Sequence, residues 1–198
     1  MRKLFLLFIT VFFMVPQLAK AQRFEGIEIF GGYSYLQDNL SSTISPFYFS
    51  PTTFGSNFAL NGWQASVTEK AADWFGLTQE FSGHYGTKQL RGVDNHFSTF
   101  AVLSGPQFYY NGLKGVTPFG HALFGYDQTT VKVKGTSLKV TGSSYAMAFG
   151  GGLDVKVRRT LAIRLLQIDY YRPQLFGNSQ NDLRFSAGVV FRFGGPRH

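Results

Sequence analysis

The chain has no cysteine, which removes disulfides, thiolate metal sites and a thiol nucleophile from consideration. Charged residues are scarce, at 15% of 198, and no basic helix or helical motif gathers the cations into a nucleic-acid footprint. No linker or composition break divides the chain into two domains. After residue 15 no apolar run is long enough to cross a bilayer as a helix. If the exported chain spans a membrane, it must therefore do so as a closed barrel, because every backbone polar group in lipid needs an internal partner.

What is present begins with an export signal. Arg2 and Lys3 precede an apolar run from Leu4 to Val15, followed by Pro16 and the small-residue pattern Ala19-Lys20-Ala21, so cleavage is expected after Ala21. Loss of residues 1–21 leaves 177 residues and takes Arg2, Lys3 and Lys20 with it, lowering the net charge from +8 to +5. A balance of that size favours anionic lipid headgroups or acidic sugars as neighbours.

The remaining sequence alternates. Leu183, Phe185, Ala187, Val189, Phe191 and Phe193 interleave with Arg184, Ser186, Gly188, Val190 and Arg192, the period-two pattern of a strand with one apolar face. The same reading places strands at 24–36, 59–69, 75–85, 96–110, 116–127, 144–157, 161–171 and 183–193. In the sixth, small residues such as Gly150 and Gly152 share the polar face and leave room for bulky or charged neighbours. Two strands are less clean, with apolar groups on both faces and Pro106 and Pro118 predicting a frayed or bulged rim. In 161–171, Arg164 has the opposite parity from Gln167 and Asp169, which predicts a β-bulge near Leu165-Leu166.

The connections, 37–58, 70–74, 86–95, 111–115, 128–143, 158–160 and 172–182, alternate long and short. This predicts an all-β fold, an eight-stranded antiparallel up-and-down transmembrane β-barrel with both termini in the periplasm. A soluble lipocalin-like barrel is the competing arrangement. The topology also predicts two aromatic belts, Tyr35, Tyr85, Phe97, Tyr126, Tyr145 and Tyr171 at the outer rim and Phe24, Trp74, Phe75, Tyr109 and Phe193 at the inner.

The segment Ser186-Ala187-Gly188-Val189-Val190-Phe191-Arg192-Phe193 resembles the signal read by the outer-membrane assembly machinery, carried by Ser186, Gly188, Phe191 and Phe193. With the export signal and eight strands, residues 22–193 resemble the small OmpA-like outer-membrane barrel family. The resemblance implies residence in the bacterial outer membrane and is weak as to role. The chain departs from the pattern in a tail, 194–198, after the last phenylalanine, and no peptidoglycan-binding domain follows; the cell-wall anchoring of longer relatives is not expected.

Candidate functional residues follow from the faces. Glu28, Glu80, Arg164, Arg184 and Arg192 all project inward, and closure should bring Arg192 close to Glu28. The interior of an eight-stranded barrel is just filled by side chains, so these charges are expected to form an ionic network in a plugged lumen, the alternative being a small-solute, porin-like channel. His96 and Ser98 share a strand face with the spacing found in outer-membrane lipid A deacylases, a base beside a hydroxyl that could hydrolyse an acyl ester given an orienting carboxylate. His84 and His121 lie on different strands and set no metal-ligand spacing; no cofactor is expected. The loop 37–58 carries Phe47, Tyr48, Phe49 and Phe54, and the loop 128–143 presents Lys132, Lys134 and Lys139, where an extracellular ligand or lipopolysaccharide phosphates could bind. The expectation is a non-enzymatic barrel with an envelope-integrity or surface-interaction role.

Overall fold

A computed structural model describes residues 25–38, 58–90, 93–133, 135, 139–175, 178–179 and 181–194. The expected export signal, the aromatic residues of the first loop, Lys134 and the last four residues of the tail lie outside them. Eight strands, β1 Gly26–Asp38, β2 Phe58–Ala72, β3 Phe75–Leu90, β4 Val93–Tyr109, β5 Val116–Val133, β6 Lys139–Arg158, β7 Leu161–Leu175 and β9 Asp182–Phe193, form one antiparallel sheet; the two-residue β8, Asn178–Ser179, only extends the β7 hairpin. The pairing runs in sequence from β1 to β7 and closes through β9 onto β1. Closure leaves no free sheet edge, and the backbone ladder continues around the wall.

Alternation decides which way each side chain points. Ile29, Tyr33, Trp63, Val67, Leu77, Phe100, Phe124, Phe149, Ile163, Val189 and Phe191 are exposed on the outer surface. Glu28, Ser34, Gln64, Thr68, Thr78, Glu80, Ser82, Asp154, Asp169 and Arg184 are buried inside. A soluble sheet would do the reverse, because apolar area left in water forfeits about 25 cal/mol for each Å². The inversion identifies lipid as the outer solvent.

The bulge forms as expected. Leu153 pairs with Leu166 but Asp154 with Arg164, and the β9 ladder steps from Arg164 to Gln167. Leu165 and Leu166 consequently both face outward, while Arg164, Gln167 and Asp169 all face the lumen.

Three expectations are corrected. Most of 86–95 and 128–143 is paired strand, not loop, because β3 and β4 stay in register to Leu90–Val93 and β5 and β6 to Lys132–Lys139. Turn length therefore does not alternate; what grows at one rim is strand. Pro106 and Pro118 do not fray the rim: Pro106 still pairs with Leu77 and Pro118 with Leu153, and the only skip is at Gly105–Pro106 on the β5 side, where proline has no N–H to give. The belts also lose members. Tyr109 and Tyr171 are buried in the lumen, and Phe97 packs against the interior, because their parity is inward and each tyrosine hydroxyl finds a carboxylate there. Tyr85 and Tyr145 are exposed toward one rim, and Trp74, Phe108, Tyr110 and Phe193 toward the rim of the termini.

Candidate functional site

The lumen is filled in layers. Nearest the rim of the termini, Glu28 of β1 receives Arg192 Nε of β9 at 3.0 Å and Tyr109 OH of β4 at 2.9 Å. Lys70 Nζ stands 3.9 Å from the same carboxylate and 4.4 Å from the centre of the Tyr109 ring. The chain of polar groups continues around the wall, with Gln107 donating to Tyr109 at 2.8 Å and Thr78 to Gln107 at 3.1 Å.

Arg164 lies above this layer. Its Nε and Nη2 hold both oxygens of Asp154, at 2.8 and 3.1 Å, and Nη1 donates to Gln167 at 2.8 Å. The planar guanidinium sits 4.0 Å from the Phe119 ring centre and 4.4 Å from that of Phe30. A forked, weakly hydrated cation suits such a place, where one set of atoms must satisfy a carboxylate and stack on rings.

The middle of the lumen belongs to Arg184, which has no exposed surface. Its Nη2 is 2.6 Å from Asp169 Oδ2 and 2.6 Å from Glu80 Oε1. Asp169 in turn bonds His121 Nε2 at 2.9 Å and accepts from Gln167 at 2.8 Å. Gln64 donates to Glu80, Ser186 donates to Gln64 and has its hydroxyl oxygen 3.0 Å from that of Ser34, and His84 Nε2 meets Ser34 at 2.9 Å. A charge pair this deep is tolerable only when further hydrogen bonds satisfy the remaining polar atoms. The neighbouring amides and hydroxyls serve that purpose for most of them, while His121 Nδ1 is buried without a hydrogen-bond partner.

Beyond the charges the interior turns apolar. Leu36, Leu60, Ala101, Leu103, Leu123, Ala146 and Ala148 form a buried cluster with Tyr171, whose hydroxyl donates to Asp127 at 2.7 Å. This apolar layer lies beside the ionic network expected from the sequence. It also explains why β4 and β5 carry apolar residues on both faces: one face meets lipid, the other fills the lumen.

All five inward charges singled out from the sequence lie in this stack. Arg192 meets Glu28 and, at 3.6 Å, Asp154, the carboxylate that also holds Arg164, while Arg184 meets Glu80. Asp154, Asp169, His121 and Tyr109 were absent from that set. Their inward parity was legible, whereas their partners, contributed by strands 10 to 81 residues away, were not. Small residues make the room: a Cβ on Gly150 would fall 2.2 Å from Asp169 Oδ1, and one on Gly152 2.9 Å from the Phe119 ring.

His96 and Ser98 sit on the outer face of β4. The His96 ring nitrogen Nδ1 is 2.9 Å from the Thr87 hydroxyl, a hydroxyl partner rather than a carboxylate. On β9, Phe191 and Phe193 are exposed outward, Ser186 points in, and Gly188 pairs with Gly32 across the closing seam, where a Cβ would fall 2.5 Å from the Gly32 Cα. Among the described residues no group of three or more histidine, aspartate or glutamate side chains is arranged to hold a metal ion.

No protein-family model and no curated protein sequence matches the chain. Solved structures do. Ail, the attachment invasion locus protein of Yersinia pestis, crystallised with the heparin analogue sucrose octasulfate, is similar over 85% of this chain and 99% of its own, with a TM-score of 0.58 and 17% identity. Neisserial surface protein A is similar over 84% of this chain and 97% of its own, with a TM-score of 0.62 and 12% identity. In fold, this chain resembles small outer-membrane β-barrels of eight strands. An apolar outer surface of this kind fits a barrel standing in lipid, and the bacterial outer membrane is the setting expected from the export signal and the assembly segment. In that frame the rim of the termini is periplasmic and the rim of the long strands extracellular.

Proposed function

We propose that this barrel is a non-enzymatic, plugged component of the outer membrane that contributes to envelope integrity and meets anionic sugars at its extracellular side, with at most a narrow pore. The observation that carries the reading is the filled lumen. From Glu28–Arg192 through Arg164–Asp154 to Glu80–Arg184–Asp169, each arginine is held by a carboxylate, and the apolar cluster around Leu103 and Leu123 closes the extracellular half. An ion passing through would have to part buried pairs and then cross an apolar layer, and both steps are costly. The sugar part of the reading draws support from the basic balance of the exported chain and from the sulfated sugar bound to the similar Ail barrel. The segment Ser186, Gly188, Phe191 and Phe193 is proposed as the contact for the assembly machinery.

Planar-bilayer recording of the purified protein tests the plug. The expected result is insertion, verified by heat-modifiable gel migration, without discrete conductance steps. Regular unitary steps from the inserted barrel would replace this reading with the channel one.

A further inference from the structure

β3 to β6 are 16, 17, 18 and 20 residues long, whereas about 9–11 residues of tilted strand cross the hydrocarbon. The surplus stands above the bilayer as a four-stranded wall. Its outward side chains fall into rungs, because neighbouring strands are in unbroken antiparallel register there. The lowest rung of the β5–β6 hairpin is aromatic, Tyr126 opposite Tyr145 with ring centres 4.9 Å apart. Above it Gln128 bonds Ser143 at 3.3 Å, and above that Thr130 meets Thr141 at 3.1 Å. The next rung is Lys132 opposite Lys139, continued across β4 and β3 by His96 and Thr87.

Two lysines directly opposite each other on one sheet face repel. Both are exposed, and among the described residues no carboxylate is ion-paired with either. Asp94, two positions from His96 on the same face, already has an interaction of its own. An anion lodged between the two ammonium groups would turn repulsion into attraction. The height of the rung selects the source of that anion. Six residues separate Tyr126 from Lys132, roughly 20 Å along the strand and roughly 15 Å of height after a tilt near 40°. The headgroup layer adds only about 5–8 Å to each side of the hydrocarbon. The lysines thus stand in the sugar layer rather than at phospholipid phosphates, and the amide and hydroxyl rungs below them offer the donors and acceptors that sugar hydroxyls need.

We propose that the outer wall of the β5–β6 hairpin binds the phosphorylated sugar region of a lipopolysaccharide molecule in the outer leaflet. Lys132 and Lys139, flanked by His96, clasp a phosphate, and Gln128, Thr130, Thr141 and Ser143 contact the sugars beneath it. This rests on the surface-interaction part of the reading above and on the extracellular placement of the wall.

The test uses the full exported chain in detergent and purified lipopolysaccharide bearing core phosphates, with affinity measured by thermophoresis. The double variant Lys132→Ala, Lys139→Ala is expected to bind about tenfold or more weakly, since each cation near an anionic surface contributes measurably. Wild type should fall to the variant's level on lipopolysaccharide dephosphorylated with hydrofluoric acid. Lys114→Ala with Lys156→Ala, at the periplasmic rim, should bind as wild type does. A double variant within twofold of wild type overturns the proposal, as does equal affinity for the dephosphorylated form. Equal dependence on the two lysines in phosphatidylglycerol vesicles would overturn the glycolipid assignment. Gel migration and bilayer recording on the same preparations keep the readings apart: a folded, inserted, non-conducting barrel that fails the lipopolysaccharide arm sinks this inference alone.

Discussion

Arg192 Nε on the last strand lies 3.0 Å from Glu28 Oε1 on the first, 164 positions away in the chain. The two residues fasten from inside the seam at which β9 and β1 close the ring. Deeper in, Arg184 performs the same service between Glu80 and Asp169 without any contact with solvent. The two sites share their chemistry and differ in burial, which separates their expected energetic weight.

Replacing Arg184 by methionine should strand two buried carboxylates, a loss of about 3–5 kcal/mol. Arg192, whose side chain keeps 20% of its surface exposed, should cost about 1 kcal/mol as glutamine. Urea unfolding in lipid vesicles, followed by fluorescence of Trp63 and Trp74, reads both. Equal losses would mean that burial does not rank these pairs.

Gly150 lies where the β6 backbone passes Asp169; a Cβ there would be 2.2 Å from both Asp169 Oδ1 and the Ile168 carbonyl. Backbone cannot yield as a flexible side chain does, so Gly150→Ala is expected to destabilise by roughly 1–3 kcal/mol, the range for overpacking. Gly31 has nothing within 4 Å of its Cβ position. Gly31→Ala should be neutral or slightly stabilising, and the contrast is measured by the same unfolding experiment.

Deletion of Leu166 removes the extra residue of the bulge. Leu165 alone then separates Arg164 from Gln167, and plain alternation keeps Arg164, Gln167 and Asp169 in the lumen. The expected outcome is a retained heat-modifiable band, as for Leu166→Ala. Loss of the band in the deletion variant alone would show that the barrel needs the bulge itself and not merely the facing it restores.

His96→Ala should leave lipid A acylation unchanged when the protein is expressed in cells and their lipid A is analysed by mass spectrometry. Loss of a deacylated species in the variant but not in wild type would reinstate the hydrolase reading of His96 and Ser98.

Changing Phe191 and Phe193 to serine should slow catalysed assembly in cells by severalfold while unaided refolding in detergent proceeds. Both rings face outward and make no lumen contact, so a loss of detergent refolding instead would assign them to stability.

Much of the architecture was legible because a strand's faces depend only on counting residues by twos. That count places Glu28, Glu80, Arg184 and Arg192 inside, and the parity break at Arg164 marks the bulge. It misjudged Tyr109 and Tyr171, because an aromatic with a polar tip suits either an interface belt or a lumen carboxylate, and only the neighbours decide. The strand ends were missed for a related reason. Above the bilayer both faces of a strand become polar, so Thr87–Leu90 and Gln128–Val133 lose the alternation that announces a strand while their backbone pairing continues.

The sequence by itself determined the count of wall strands, the facing of most side chains and the oily exterior, all of which are local properties of a chain with period two. Tertiary structure alone decided that Arg164 takes Asp154, that Asp169 is shared by Arg184 and His121, that leucines cap the ionic layers, and that Lys132 is set against Lys139. Those choices depend on register and on side chains reaching across the lumen. Partners brought together by closing a ring leave no mark in the spacing along any one strand.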